Sequence, residues 1–374
     1  MVEYDEFGPE KILEVYDKTT GMRGFTVIDN TQRGPGKGGI RMTPSVSIDE
    51  VARLARAMTW KCALANLPFG GGKSGIIADP RELDHARKAA IIKAFSKGIK
   101  PICPKQYIAA PDINTGEEDM RIFAMANGSM KSCTGKPANL CVKPGIKCGL
   151  PHEYGSTGFG VYHAALVAMN HVGLDPAKVT FGVEGFGNVG AFAVKFLTER
   201  GAKCVAITDS KGGVYKKEGV NYAKMMDVKE KQKTVIKYGE GEVITGRQFY
   251  EQDMDITIPA ALPDVITKEN VNNIKAKIII EAANIPITPE VEKILAKRGI
   301  LVIPDIIANA GGVISSYAEF LGHNPKKMFE IVEKRIVKNT RIMLDHAKKE
   351  NITPREAAME IAVKRVKAKT SKFM

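Results

Sequence analysis

Three lysines of the N-terminal half lie in or near glycine-rich motifs, a pattern that suits an anionic substrate. Lys37 lies in GKGGIR, Lys61 in MTWK and Lys73 in PFGGGK. Glycines allow close approach to the backbone, so the Lys73 ammonium could enter a poorly solvated pocket beside the other two lysines. Burial and nearby positive charge would lower its pKa from about 10.4 toward about 7–8, where it could act as a base. A lysine after glycines is also commonly a solvated loop residue, and both interpretations stay open.

A carboxylate that could exchange protons with such a lysine lies in the segment APDINTG. Asp112 follows a predicted strand at 106–110. Its side chain could carry protons, or it could cap the helix that we predict from Glu117, because Asp is a favoured N-cap residue. The sequence alone does not decide between these roles.

A dinucleotide fingerprint, GFGNVG, lies in the second half of the chain. It follows a predicted buried strand at 179–184 and opens a predicted helix at 188–199. In this context a pyrophosphate can rest on free backbone N–H groups at the start of the helix. The glycines that would permit this are Gly185, Gly187 and Gly190.

The end of the next predicted strand carries an aspartate that bears on the cofactor. Asp209 lies nineteen residues past Gly190, where a carboxylate could hold a ribose hydroxyl, or it could serve in a turn. A carboxylate favours NAD, whereas Lys211 could receive a 2′-phosphate, so NAD and NADP both stay open. A nucleotide, an anion site and a base together indicate hydride chemistry on an acid, without showing which acid.

The elements around these residues alternate as in α/β proteins. Strand-like runs at 12–16 and 23–28 predict a hairpin, and Ser47 begins a helix that carries Lys61. A loop-rich stretch at 128–151 indicates a domain boundary just after it. Further parallel strands are predicted at 254–258, 278–280 and 300–303.

Composition excludes several classes of protein. With 374 residues, 44% of them hydrophobic, the chain is long enough for two domains. Because no apolar run approaches the roughly 18 residues of a membrane helix, we expect a cytoplasmic protein with no membrane partner. Residues 326–374 hold 14 of the basic and 6 of the acidic residues, which explains most of the +13 charge. Their helix-like spacing indicates a solvated helix face, so no nucleic-acid partner is predicted.

The six cysteines are scattered, and in a cytosolic chain we expect them to be reduced. Cys133, Cys141 and Cys148 could be drawn with His152 as a metal site. No pair among them has the gap of a zinc knuckle, so no metal is predicted.

Seven motifs occur in the order typical of one enzyme family. They are GPGKGGIRM, MTWKCALANLPFGGGK, APDINTG, STGFG, GFGNVG, EAANIP and NAGGVISS. At these motifs the chain resembles the glutamate/leucine/phenylalanine/valine dehydrogenase family, from about Ile12 to the C-terminus. The resemblance implies that Lys61 holds the substrate α-carboxylate, Lys73 activates water and Asp112 carries the amino proton. The residues that it places at a nicotinamide cofactor, NAD or NADP, are Thr157, Asn188, Val189, Asp209 and Asn284.

The same resemblance implies a two-domain α/β fold. A substrate-binding and oligomerisation domain would span 1–155, with the C-terminal helices 335–374 packing back on it. A Rossmann-type NAD(P)-binding domain would span 156–334. A homohexamer is expected, although Lys37 lies nearer the N-terminus than in typical glutamate enzymes and the opening hairpin resembles leucine-type enzymes.

Substrate choice within the family depends on two positions. Lys37 and Ser316 fall where glutamate enzymes bind the side-chain carboxylate, and an apolar substrate would leave Lys37 an unpaired buried charge. We therefore predict reversible deamination of L-glutamate to 2-oxoglutarate and ammonium. The alternatives are a leucine, phenylalanine or valine dehydrogenase and, in another class, a basic nucleic-acid-binding or regulatory protein with an inactive Rossmann domain.

Overall fold

The computed structural model describes residues 2–368. They form two compact units. The first consists of residues 2–154, 313–331 and 359–368, and the second of residues 155–312 and 332–358. These bounds differ from the predicted ones, which place residues 156–334 in the second domain and pack helices 335–374 on the first.

Fifteen strands and twelve α-helices make up the regular structure of the described residues. The strands are β1 Lys11–Asp17, β2 Met22–Asn30, β3 Gly36–Lys37, β4 Ile40–Thr43, β5 Gly70–Ile77, β6 Tyr107–Ile108, β7 Cys141–Lys143, β8 Ile146–Cys148, β9 Thr180–Glu184, β10 Lys203–Asp209, β11 Gly212–Tyr215, β12 Glu242–Ile244, β13 Ile256–Pro259, β14 Ile278–Ile280 and β15 Leu301–Ile303. The helices are α1 Ile48–Leu64, α2 His85–Gly98, α3 Glu117–Asn127, α4 Ser156–His171, α5 Asn188–Glu199, α6 Tyr222–Gln232, α7 Gly246–Phe249, α8 Pro289–Lys297, α9 Asp305–Ala308, α10 Gly311–Leu321, α11 Pro325–Glu350 and α12 Pro354–Lys367.

The first unit is built on a six-stranded mixed sheet. Its strands follow the order β1-β2-β5-β3-β6, and β4 pairs with β5. The predicted opening hairpin is confirmed, since β1 and β2 are antiparallel neighbours. The helix start at Ser47 is confirmed too, because its hydroxyl accepts a hydrogen bond from the Glu50 N–H at 3.2 Å.

The glycine tract before Lys73 is a buried strand rather than a loop. β5 begins at Gly70 and is buried along almost its whole length. A Cβ atom at Gly70 would lie 1.7 Å from the Asn30 carbonyl oxygen, and one at Gly71 would lie 2.0 Å from Thr59 Oγ1. The glycines therefore let neighbouring backbone and α1 pack directly against this strand. Strand prediction depends on alternating polar and apolar side chains, and glycine has no side chain to alternate.

The C-terminal end of α1 is capped from far along the chain. The guanidinium of Arg365, in α12, donates to the carbonyl oxygens of Ala63 and Leu64. Arg33 in turn donates to the Arg365 carbonyl oxygen at 2.9 Å. A cation at these last carbonyls also complements the helix dipole, so the final turn of α1 is fixed where Lys61 lies.

The second unit contains a seven-stranded sheet in the order β12-β11-β10-β9-β13-β14-β15. The five strands from β10 to β15 in that order are parallel, which confirms the predicted parallel strands of a Rossmann-type domain. The antiparallel edge strands β11 and β12 were not predicted.

The cysteine prediction was wrong for one pair. Cys141 and Cys148 form a disulfide across the β7–β8 hairpin, within the stretch that we expected to be loop. Sequence spacing could not show this, because a pairing of β7 with β8 was not foreseen. The other four cysteines are free and buried. Among residues 2–368, no group of three potential ligands is arranged to hold a metal ion.

Within residues 2–368, no helix has both the length and the apolar content that a bilayer span requires.

A buried arginine organises the carboxyl ends of β14 and β15. Arg355 forms ion pairs with Glu281 at 2.5 Å, Glu292 at 2.6 Å and Asp305 at 3.1 Å. Its side chain is 16% exposed and those of its partners are nearly fully buried. Burial raises the pKa of Glu281 well above its usual value and also raises that of Glu292, while the arginine opposes both shifts. Three carboxyl groups thus depend on one cation.

We predict that Arg355→Met lowers the unfolding free energy by about 3–5 kcal/mol at pH 8, because it leaves buried carboxylates unpaired. The pKa values of Glu281 and Glu292 would rise further, and carboxyl groups with raised pKa lose their stabilising protonation as pH increases. The deficit should therefore be smaller at pH 5 than at pH 8 in denaturant titrations. Arg81→Met, which removes an exposed pair with Asp79, is the control and should leave stability unchanged. An equal deficit at both pH values would contradict this account.

Candidate active site

A buried ion pair joins the two residues predicted to move protons. Lys73 Nζ lies 3.0 Å from Asp112 Oδ2, and the Lys73 side chain is 8% exposed. Lys73 projects from β5, and Asp112 follows β6 in the same sheet. Arg41, on the neighbouring strand β4, donates from Nε to the same Asp112 oxygen at 2.9 Å. Arg41 also pairs with Glu50 at 2.6 Å, so four charged groups form one chain.

Asp112 is not the cap of α3. The residue before that helix is Gly116, whose N–H donates to Asp119 Oδ2 at 2.8 Å. Instead, the Asp112 N–H donates to Thr115 Oγ1 at 2.9 Å, and that hydroxyl donates to the Ile40 carbonyl oxygen. The loop after β6 is thus tied to β4, which leaves the Asp112 carboxylate for Lys73 and Arg41.

The environment sets the protonation of both members of the pair. Burial lowers the pKa of Lys73, and the attraction of Asp112 offsets only part of that effect. Burial alone would raise the pKa of Asp112, but Lys73 and Arg41 together hold it below its usual value. The pair can therefore provide a carboxylate and a lysine that gives up its proton more readily than a solvated one.

Lys37 is buried without a carboxylate partner. It is 1% exposed, and its Nζ donates to the backbone carbonyl oxygens of Ala109 at 2.9 Å and Ile108 at 3.4 Å. No ion pair within 4.0 Å involves it among residues 2–368. Burial lowers its pKa to about 8. Such a cation would gain from the approach of an anion.

The other two predicted substrate residues lie in the same unit. Lys61 is in the last turn of α1, half-buried, and Ser316 is half-buried in α10. All five residues predicted to handle substrate therefore belong to the first unit.

A second buried ion pair, not predicted, holds α10. Glu319 accepts from Lys136 Nζ at 2.5 Å and from the N–H groups of Gly135 and Leu150. Glu319 lies one turn after Ser316, so this pair anchors the helix that carries Ser316. Arg41 was also missed, although its place in GKGGIR, four residues after Lys37, was a signal.

The glycine turn in the second unit has the shape that a pyrophosphate site needs. Gly185 has a φ of +96°, and a Cβ at Gly190 would lie 2.1 Å from the Gly185 carbonyl oxygen. Gly187 precedes α5, and no side chain caps the helix there. A Cβ at Gly187 would meet no atom within 4 Å. The helix start is therefore open to an anion, and the residues fit a dinucleotide.

The remaining predicted cofactor residues also lie in the second unit. Val189 is in the first turn of α5, and Thr157 is in the first turn of α4. Asn284 follows β14, and its Oδ1 accepts from Asn309 Nδ2 at 3.1 Å. Asp209 ends β10 as predicted, but its carboxylate already accepts several hydrogen bonds from its own unit.

Comparison with known proteins identifies the family. Residues 9–128 match the model of the Glu/Leu/Phe/Val dehydrogenase dimerisation domain, and residues 148–372 match that of Glutamate/Leucine/Phenylalanine/Valine dehydrogenase. The chain belongs to the glutamate/leucine/phenylalanine/valine dehydrogenase family. The predicted family and its two-domain α/β fold are thereby confirmed, and this member of the family is an amino-acid dehydrogenase.

Individual relatives of this dehydrogenase are glutamate enzymes. The glutamate dehydrogenase of Thermotoga maritima is 41% identical over 364 residues, covering 93% of this chain and 86% of that protein. The NADP-specific enzyme of Saccharolobus shibatae is 38% identical over 328 residues, covering 83% and 75%. The hetero-hexameric glutamate dehydrogenase of Thermus thermophilus, solved in a leucine-bound form, superposes with a TM-score of 0.83 at 25% identity, covering 96% and 88%. Curated relatives include both NADP-specific and NAD-specific enzymes.

We predict that Lys73→Ala lowers kcat by at least about 10²–10⁴, because it removes a base held beside Asp112. Cofactor binding and the folded state should persist, as circular dichroism and calorimetry would show. Near-normal turnover in this variant would remove Lys73 from the mechanism.

We predict that Gly187→Val weakens binding of NAD(P), measured by calorimetry. The side chain would fit the protein itself, because the space beyond Gly187 is open, but it would occupy the space where the pyrophosphate approaches the backbone. Gly116→Val is the matched control, because Gly116 also precedes a helix and a Cβ there would also meet no atom within 4 Å. Unchanged cofactor affinity in Gly187→Val would refute this placement of the site.

Proposed function

We propose that this enzyme reversibly deaminates L-glutamate to 2-oxoglutarate and ammonium with NAD or NADP. The observation that carries the choice of glutamate is the burial of Lys37 without a carboxylate partner among the described residues. A second substrate carboxylate would supply the missing anion. An apolar side chain would leave the ammonium uncompensated, at a cost of several kcal/mol.

The two carboxylates of the substrate would be held by different residues. Lys61, at the end of α1, would hold the α-carboxylate by a charge-assisted hydrogen bond. Lys37 and the Ser316 hydroxyl would hold the side-chain carboxylate. Both lysines are kept in place by backbone structure, Lys37 through the Ala109 carbonyl oxygen and Lys61 through the capped last turn of its helix.

The Lys73–Asp112 pair would carry out the proton transfers. Asp112, held as a carboxylate by Lys73 and Arg41, would accept the proton of the substrate ammonium. The residues that would hold NAD(P) at the start of α5 are Gly187, Asn188 and Val189 with Thr157 and Asn284, and the bound cofactor would supply an acceptor for the substrate hydride. Lys73 would then take a proton from water as that water attacks the imine carbon, and ammonia leaves. Its lowered pKa suits this step, since a charged lysine cannot accept a proton.

Assembly and location are proposals of the same kind. Residues 9–128 match a dimerisation domain, and the Thermus thermophilus relative is hetero-hexameric. We therefore propose a homohexamer, located in the cytoplasm. Size-exclusion chromatography with light scattering would test the assembly.

Substrate choice can be tested by reduction of NAD and of NADP with glutamate, leucine and phenylalanine. We predict that Lys37→Leu lowers kcat/KM for glutamate by a factor corresponding to about 2–5 kcal/mol, because it deletes a charge-assisted contact. Activity on leucine should hold or rise. The Ala109 carbonyl oxygen keeps its hydrogen bond from the Thr134 N–H, so the sheet should remain intact.

The pH dependence offers an independent check on the same residue. Because the pKa of Lys37 is about 8, its positive charge is lost as pH rises through that value, and the KM for glutamate should rise with it. The variant should lack this rise. A wild type that prefers leucine, or a variant that loses both substrates equally, would overturn the glutamate assignment.

A further inference from the structure

The carboxylate of Asp209 is saturated by donors from its own unit. Its Oδ2 accepts from Lys229 Nζ at 2.6 Å and from the Val235 N–H at 2.9 Å. Its Oδ1 accepts from the Lys211 N–H at 2.9 Å and from Thr234 Oγ1 at 3.3 Å. Each carboxylate oxygen thus has two donors, which uses its ordinary accepting capacity. The Asp209 side chain is only 5% exposed.

An acid at this strand end selects NAD by accepting a hydrogen bond from the ribose 2′-hydroxyl and by repelling a 2′-phosphate. Neither effect is available to Asp209 as it stands. A ribose hydroxyl would have to displace a donor that is already bound. The negative charge, in turn, is balanced by the Lys229 ammonium 2.6 Å away.

The surroundings of Asp209 are basic. The segment 209–237 holds eight lysines against four carboxylates. Lys211, two residues after β10, and Lys233, directly before Thr234, are exposed, and Lys229 is 29% exposed. An additional phosphate at this end of the sheet would therefore meet positive charge.

We propose that the adenosine end of this dinucleotide site takes a 2′-phosphorylated ribose in preference to a free 2′-hydroxyl, with Lys229 as the residue that determines the preference. The proposal rests on the dinucleotide site of the proposed function and deepens it. Lys229 acts in two ways: it occupies Asp209, and it cancels the charge that would repel the phosphate.

A purely structural role for the Lys229–Asp209 pair is the competing explanation. The pair also ties α6 and the segment at Thr234 to β10, so its loss would reduce stability. A structural role would weaken binding of both nucleotides together. The proposed role changes their ratio.

Titration calorimetry with 2′,5′-ADP and 5′-AMP on the full chain separates these explanations. In the wild type we expect 2′,5′-ADP to bind at least about tenfold more tightly, as a charge-assisted contact allows. Lys229→Gln should reduce this ratio at least about fivefold, because it frees Asp209 and restores its charge, whereas Lys229→Arg should keep most of it. Lys224→Gln, which removes a lysine of the same helix that pairs with Glu240, is the matched control.

Two results would overturn the proposal. One is wild-type protein that binds 5′-AMP as tightly as 2′,5′-ADP; the other is an unchanged ratio in Lys229→Gln. If Lys229→Gln does not fold, Asp209→Asn replaces it: a loss of 5′-AMP affinity of about tenfold would show that Asp209 holds the ribose, and unchanged 5′-AMP affinity supports the proposal. Failure of both ligands to bind would instead refute the dinucleotide site itself.

Discussion

The burial of Lys73 beside Asp112 is the constraint on which the first unit depends. A lysine charge loses hydration when it is enclosed, so the ammonium is stable there only with a carboxylate at 3.0 Å. That geometry requires β5 to lie flat against α1 and its neighbouring strands, which only the glycines before Lys73 permit. It also requires Asp112 to be held from the other side, which Arg41 does. The glycine tract and the arginine are thus part of the same arrangement as the Lys73–Asp112 pair.

The buried cations Lys37 and Arg355, in the first and the second unit, are opposite cases. In the first, Lys37 is enclosed with backbone carbonyl groups and no carboxylate within ion-pair distance among residues 2–368, an arrangement that an incoming anion would complete. In the second, Arg355 is surrounded by three carboxylates, and Asp209 accepts four hydrogen bonds. The Lys37 arrangement thus favours a ligand, whereas the Arg355 arrangement favours the fold.

Much of this arrangement follows from the sequence, and the exceptions have physical causes. The hairpin, the Ser47 cap, the GFGNVG turn and the parallel strands depend on local pattern, so they could be predicted. The β5 strand could not, because glycine carries no side-chain periodicity. Asp112 could be a cap or a proton carrier until the structure placed Arg41 and Lys73 against it. The Cys141–Cys148 pairing and the partners of Asp209 depend on contacts between separate segments, which residue spacing does not record.

The capping of α1 by Arg365 affects the order in which the first unit can fold during translation. Arg365 lies 301 residues beyond Leu64, and the first unit also needs residues 313–331. At ~5–20 residues per second, α1 emerges roughly 15–60 s before its cap is made. The unit whose translation begins first is therefore the last to be completed. A nascent chain that stops short of Arg365 therefore lacks the contact that closes the helix carrying Lys61.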